Sequence, residues 1–297
     1  MAVRVGFIGF GEVASVFSVP VVKSGASVAA YDTLLLCEGG REILDKRTRI
    51  KGIQFQPLQY LIENTDYIIS TVTTDVAVKV AEECTAYLKP RQFYIDMNST
   101  SPGIKVTLDR IISSTGASFA EGAVLGAVGA SGEKTRILMG GANGREAAAA
   151  LAAMGLNTAF YSPVTGKASM FKMLRSIFSK GMEALLLEML TAGRRAGMEE
   201  DLWKDITGLF TDNHFEMVAS NWIKTHPAAH ERRYHEMIQV IETMHEIGIE
   251  PVMTAGTEAF FKRSCSIDMK EAFSINPTSV ETIIDFMEKS AKGAEAK

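Results

Sequence analysis

An apolar run, Val3–Phe10, drives straight into the turn Gly9-Phe10-Gly11-Glu12-Val13-Ala14, a junction that few folds accommodate. The first glycine permits a tight strand-to-helix turn, the second lets the backbone approach a pyrophosphate, and the small sixth residue allows close helix–strand packing. The helix that opens here offers free N–H groups and a positive dipole end to an anion. Gly9, Phe10, Gly11, Glu12 and Val13 are therefore candidate dinucleotide ligands. The run is too short to span a bilayer, which takes about 20 apolar residues. It also lacks the basic lead and cleavage site of a signal peptide.

The pattern that follows supports a parallel sheet covered by helices. β-type runs at Ser27–Tyr31, Tyr67–Val72, Phe93–Asp96, Ser118–Ala123 and Arg136–Met139 alternate with helix-compatible stretches at Glu12–Ser24, Val76–Leu88, Ile104–Ser113 and Arg145–Met154. Near Pro163 the pattern changes. Lys167–Ala196 is one long helical run. Further helices are expected at Met198–Phe210, Phe215–His226, Glu231–Ile247, Met253–Lys262 and Thr278–Lys292, with a frayed tail over Lys289–Lys297. The expected fold is a Rossmann-type, doubly wound, mostly parallel α/β domain over 1–163. An all-helical domain over 164–297 follows, opened by a long interdomain helix.

The second β-type run ends at Tyr31-Asp32, about 20 residues beyond the turn, where an acid accepts ribose hydroxyls and repels a 2′-phosphate. No arginine immediately follows Asp32, which favours NAD over NADP. Thr71, Val72 and Thr73, at the end of the Tyr67–Val72 run, complete the expected cofactor set. Strand C-termini of such sheets face the ligand crevice. The polar stretch Asn98-Ser99-Thr100 after Asp96 reads there either as a substrate loop or as a plain cap and turn before Pro102. Gly122 and Gly126, around Leu125, suit either close backbone approach to a ligand or an ordinary turn.

Lys172 is the sharpest single residue. Its helix carries Met170, Phe171, Met173, Leu174, Ile177, Phe178, Leu185 and Leu186, apolar nearly all round, and such a helix is expected to be buried. Lys172, Ser176, Ser179 and Glu183 form a polar stripe along it, with Lys172 and Ser176 at i, i+4. A desolvated lysine shifts its pKa readily, which suits proton transfer; the other reading is a lysine that snorkels to water.

In this order the residues resemble the β-hydroxyacid dehydrogenase family, which includes 3-hydroxyisobutyrate dehydrogenases, tartronate semialdehyde reductases and 6-phosphogluconate dehydrogenases. The resemblance covers nearly the whole chain. Gly9 to Ala14 match its dinucleotide turn, and Asp96 to Pro102 match its substrate loop, Asp-x-Ser/Asn-Ser/Thr-x-x-Pro. Glu121 to Ala127 resemble its next segment. Gly166 to Ser176 resemble its catalytic motif G-x-G-x-x-x-K-x-x-N-N, with Ala168 for the second glycine and Arg175 and Ser176 for the paired asparagines. His235-Glu236 stand where the family has Lys-Asp. The chain thus looks like a divergent, phosphogluconate-dehydrogenase-like branch with an atypical C-terminal domain.

The resemblance implies that Lys172 is the general acid–base of a 3-hydroxyacid dehydrogenase. It implies substrate contacts from Asn98, Ser99, Thr100, Leu125, Gly126, Arg175, Ser176, His235 and Glu236, with Arg175 suited to a carboxylate. An oxidative decarboxylase is the alternative chemistry and needs a second acid–base group, with Glu183, His235 and Glu236 as candidates. A catalytically silent NAD-binding sensor is the non-enzymatic alternative. Imine reductases share the architecture but generally lack the lysine. The expected partners are a small hydroxy acid and a second copy of the chain, bound through the helical domain where Phe178–Leu190 is rich in apolar residues. A net charge of −4 argues against nucleic acid. Cys37, Cys84 and Cys265 are far apart and fit a reducing cytosol. Five histidines give no tight ligand pair, since Pro227 between His226 and His230 argues against a shared helical face, and no metal is expected.

Overall fold

The computed structural model describes residues 2–273 and 279–295. An eight-stranded sheet runs in the order β3-β2-β1-β4-β5-β6-β7-β8. Its strands are β1 (Arg4–Ile8), β2 (Ser27–Tyr31), β3 (Ile53–Phe55), β4 (Tyr67–Ser70), β5 (Phe93–Asp96), β6 (Ser118–Leu125), β7 (Arg136–Gly140) and β8 (Thr158–Ser162). Every pairing is parallel except β6 with β7. The strand order reverses between β1 and β4, and that switch point opens the ligand crevice of such sheets. β3 and β8 are absent from the sequence reading. Both are short edge strands, only half-buried, so neither carries a strong apolar pattern.

Seven helices accompany the sheet: α1 (Glu12–Lys23), α2 (Gly40–Arg47), α3 (Leu58–Glu63), α4 (Ala77–Cys84), α5 (Pro102–Ser113), α6 (Val128–Ser131) and α7 (Gly144–Ala153). The pleat of β1 sorts its side chains between two cores. Val5 and Phe7 join Phe17, Val21 and Leu151 on one face. Ile8 joins Leu61, Ala81, Leu108 and Ile112 on the other. Each such side chain contributes about 1.5–3 kcal/mol on burial. A Cβ at Gly6 would stand 2.5 Å from a Leu61 methyl, so the glycine lets α3 close on the sheet.

The chain divides into two compact units, Met1–Ile177 and Phe178–Lys297. The division falls inside the long helix α8 (Lys167–Ala196). The first turns of α8 belong with the sheet because Ala168 and Ser169 are buried there and three of the nearby backbone N–H groups are held by Glu121 of β6. One expectation is overturned along α8. Leu174, Ile177, Phe178 and Leu187 are 58%, 73%, 53% and 61% exposed in the single chain, so an apolar circumference here does not mean burial by the helix's own chain.

Among the described residues the second unit is all helix: the rest of α8, then α9 (Glu199–Asp212), α10 (Phe215–Lys224), α11 (His226–Glu246), α12 (Val252–Cys265), α13 (Met269–Ala272) and α14 (Val280–Glu295). Glu188 caps α12, accepting from the N–H groups of Met253 (2.7 Å) and Thr254 (2.8 Å) and from the Thr254 hydroxyl. Burial pushes its pKa up, but these hydrogen bonds outweigh that and hold the carboxyl below its ordinary range. His226 and His230 do share a face, with ring centroids 5.7 Å apart. His226 opens α11 and Pro227 sits in its first turn, where proline costs no hydrogen bond. Thr278, the expected start of the last helix, lies outside the described residues. Of the tail expected to fray, 289–295 continue α14, while 296 and 297 lie outside the described residues. No described helix is long and apolar enough to cross a membrane.

Candidate active site

One row of residues crosses the C-terminal edge of the sheet. Tyr31 pairs with Ile8, Ile8 with Ser70, Ser70 with Asp96, Asp96 with Glu121, and Glu121 with Gly140. At a strand spacing of about 4.8 Å, Tyr31 to Glu121 spans about 19 Å. The glycine turn, Asp32, Thr71 and the polar loop after Asp96 all leave from this row.

Gly9 follows Ile8. Its N–H donates to the Tyr31 carbonyl at 2.8 Å, its φ is +82°, and a Cβ would stand 2.7 Å from the Thr71 carbonyl oxygen. Only glycine fits there. The Thr71 hydroxyl donates to the Gly9 carbonyl at 2.7 Å and straps the turn to β4. At Gly11 nothing lies within 4 Å of where a Cβ would be, so this backbone faces open space at the start of α1. The Phe10 ring is buried against Phe55, 5.1 Å between centroids. Phe10 therefore offers the turn its backbone alone. Glu12 lies beside Gly129, and Val13 packs against the core.

Asp32 follows Tyr31. Its carboxylate accepts from the N–H of Phe10 at 2.8 Å and of Leu34 at 3.0 Å, so it ties the end of β2 to the glycine turn. Gly9, Gly11, Asp32, Thr71, Val72 and Thr73 together line a cleft of about 370 Å³, walled by Tyr31, Leu34, Val76 and Val80. Arg47 lines the same cleft; it stands on another element, 15 residues beyond Asp32, where no dinucleotide spacing marks it.

Asp96 opens the polar loop and is itself buried beside Lys105 of α5, both side chains 0% exposed. Lys105 donates to the Asp96 carboxylate, to the Asp96 carbonyl at 3.2 Å and to the Asn98 carbonyl at 2.7 Å. Burial pushes the Asp96 carboxyl up, against the pull of the Lys105 ammonium and the hydrogen bonds from Asn98. The Asn98 amide turns inward, donating to Asp96 and, at 3.0 Å, to Ser70. Asn98 and Thr100 are buried, and Asn98 Oδ1 and Thr100 Oγ1 have no hydrogen-bond partner among the described residues. Ser99 alone of the three is exposed, and the Lys172 ammonium donates to its hydroxyl at 2.5 Å. No sequence signal marked Lys105, which reads as an ordinary lysine of an amphipathic helix.

Lys172 is placed by Glu121. That fully buried carboxylate accepts from the N–H groups of Gly166 (2.7 Å), Ala168 (3.1 Å) and Ser169 (3.2 Å), and so caps the helix that carries the lysine. Gly140 makes room for it, since a Cβ there would stand 2.5 Å from Glu121 Oε1. The Ser176 hydroxyl donates to the Lys172 carbonyl at 2.9 Å, within its own helix. Arg175 is exposed. Leu125 packs on Ala123, Leu138 and Ala168, and Gly126 holds a φ of +108°. The remaining two candidates lie in the other unit, where Glu236 pairs with Arg232 and the His235 ring lies 5.2 Å from that of Tyr234. The described residues contain no group of three or more His, Cys, Asp or Glu placed to hold a metal ion.

Comparison with known proteins gives a matching result. Residues 4–162 match the NAD binding domain of 6-phosphogluconate dehydrogenase, and residues 194–264 match a domain of unknown function, DUF1932. The chain is 31% identical, over 91% of its length and 98% of the other's, to a conserved protein of unknown function whose structure is described as similar to 3-hydroxyacid dehydrogenases, with a TM-score of 0.58. It is 28% identical over 265 residues, 87% of this chain and 98% of the other, to an uncharacterized 28.5 kDa protein of Methanothermus fervidus. An imine reductase from Myxococcus stipitatus, solved with NADP+, superposes with a TM-score of 0.74 at 16% identity, over 89% of this chain and 94% of its own. Similarity at that identity shows the fold alone.

Proposed function

Because the chain belongs to the family that carries the NAD binding domain of 6-phosphogluconate dehydrogenase, we propose that it is an NAD-dependent dehydrogenase acting on a small acid with a hydroxyl on its β-carbon. Lys172 is its general acid–base. The observation that carries this reading is the contact between Lys172 and Ser99, which brings two distant segments together at the edge where the sheet binds ligands.

The residues present suit the cofactor. Gly9 and Gly11 leave room for a pyrophosphate at the N-terminus of α1, and Asp32 presents carboxylate oxygens for the adenosine ribose. NAD, when bound, accepts the hydride that the substrate carbon releases. The chain's own part is positioning and proton transfer. The Ser99 hydroxyl and Lys172 Nζ converge on one point, where a substrate hydroxyl meets both. As the neutral amine, Lys172 Nζ takes the hydroxyl proton during oxidation, and as the ammonium it returns that proton during reduction, a contribution of about 10²–10⁴-fold. Asn98 Oδ1 and Thr100 Oγ1 support a ligand-binding loop, since buried polar groups without partners are rare outside functional sites. Arg175, exposed on the same helix, is the group suited to the substrate carboxylate. Leu125 and Gly126 supply backbone, and Ser176, His235 and Glu236 are the further candidates.

The same reading includes a homodimer built through the helical unit. A cleft of about 240 Å³ there is lined by Phe178, Met182, Trp203, Phe210 and Phe215, and Leu185 and Leu187 of the same helix as Phe178 are exposed. Exposed apolar side chains and an apolar cleft on one unit support an association site there. The functional test is NADH formation from NAD with a panel of small β-hydroxy acids, with released CO₂ assayed in parallel. Turnover without CO₂ is the expected result. Coenzyme binding with no turnover on any acid or aldehyde would contradict the assignment.

A further inference from the structure

Helix α2 is anchored at its start to the 3-10 turn Thr33–Leu36 and at its end to α1. At its start, a Cβ on Gly40 would stand 1.8 Å from the Leu34 carbonyl oxygen, so glycine alone lets the helix begin directly on the 3-10 turn that Asp32 caps. At its end, the Ser15 hydroxyl of α1 donates to the Arg47 carbonyl. The two anchors bring the Arg47 side chain back over the turn, where Nη1 donates to the Phe10 carbonyl across a long 3.4 Å. The guanidinium thereby lines the cleft with Gly9, Gly11, Asp32 and Thr33.

Its charge is not spent within the protein. Among the described residues no carboxylate pairs with Arg47, and the Asp32 oxygens in the same cleft accept from backbone N–H groups. A guanidinium has five N–H donors in a planar fork that matches phosphate oxygens two at a time. One long backbone contact leaves most of those donors available. We propose that Arg47 is a phosphate ligand of the bound dinucleotide, its guanidinium reaching over the glycine turn to the bridging pyrophosphate or to a 2′-phosphate on the adenosine ribose. This rests on the reading of the cleft as a dinucleotide site, whether NAD or NADP fills it, and adds to that site a cationic contact supplied from outside the glycine turn and the Asp32 loop. The plain alternative is an arginine that only complements the C-terminal dipole of α2.

Titration of the full-length protein with NADH and, separately, NADPH, followed by nicotinamide fluorescence, decides the matter. Arg47→Gln is expected to weaken binding of at least one coenzyme roughly tenfold or more, the loss of a charge-assisted hydrogen bond. Arg49→Gln, a nearby exposed arginine outside the cleft, is expected to change neither, and Arg47→Lys to recover part of the loss. An equal loss for both coenzymes places the contact on the pyrophosphate, and a loss confined to NADPH places it on the 2′-phosphate. Unchanged binding of both by Arg47→Gln, or the same loss in Arg49→Gln, would overturn the proposal. Failure of the unaltered protein to bind either coenzyme would instead remove the cofactor reading itself, and this proposal with it.

Discussion

Three charged side chains, Glu121 and Lys105 fully buried and Asp32 half-buried, act on residues other than themselves. Asp32 fixes the glycine turn, Glu121 fixes the start of α8, and Lys105 fixes the loop that presents Ser99. Lys105 gives the clearest energetic test. Replacing it with methionine leaves the Asp96 carboxylate buried without its cation and takes the Lys105 donor from the Asp96 and Asn98 carbonyls. Lys105→Met is expected to cost about 3–5 kcal/mol, and the double variant Asp96→Asn with Lys105→Met to recover much of it. Urea unfolding of the two variants checks both. At this scale Gly9, Gly11 and Asp32 stood out because their spacing has a mechanical reason, whereas Ser99 and Lys172 were open on local pattern alone and became candidates through the family resemblance. Lys105, Arg47 and the capping role of Glu121 stayed hidden. Their partners lie on other elements, and local spacing carries no trace of such contacts.

Elements were legible where their patterns were long. The run Lys167–Ala196 is a helix to the residue, and the inner strands fall where apolar runs end in glycine or a polar loop. The short edge strands β3 and β8, and helices α2 and α3, carry too few turns of pattern to read. Proline misled in α11, where Pro227 occupies the first turn and leaves His226 and His230 on one face. Burial pushes the His226 imidazole down to about 4, with His230 and Arg233 adding to the shift, and the Ser264 hydroxyl lies 3.1 Å from its Nε2. The folded state holds this ring neutral, whereas the unfolded chain protonates it at its ordinary value of about 6.5. Its contribution to stability is therefore full above about 6.5 and is lost as the pH falls toward about 4. Thermal melts from pH 7 to pH 4 should show His226→Gln losing less stability than the unaltered protein across that window. Parallel curves would contradict the buried neutral ring.

At the scale of the whole molecule, the α/β-then-α order was plain from the change of pattern near Pro163, while the exposure of α8 was not. An apolar circumference is the same in sequence whether its own chain or a second copy covers it. The dimer reading predicts that Leu187→Glu, on the exposed apolar face, shifts the protein toward monomer in light scattering without unfolding it, and an unchanged mass would move the interface elsewhere. The account depends most on the lysine that Glu121 and Ser99 hold in place. The measurement that reaches it most directly is turnover of Lys172→Ala on the best hydroxy acid of the panel, beside its affinity for NADH. A fall of at least about a hundredfold in kcat with coenzyme affinity retained is the expected result. An unchanged kcat would mean that Lys172 moves no proton in the reaction.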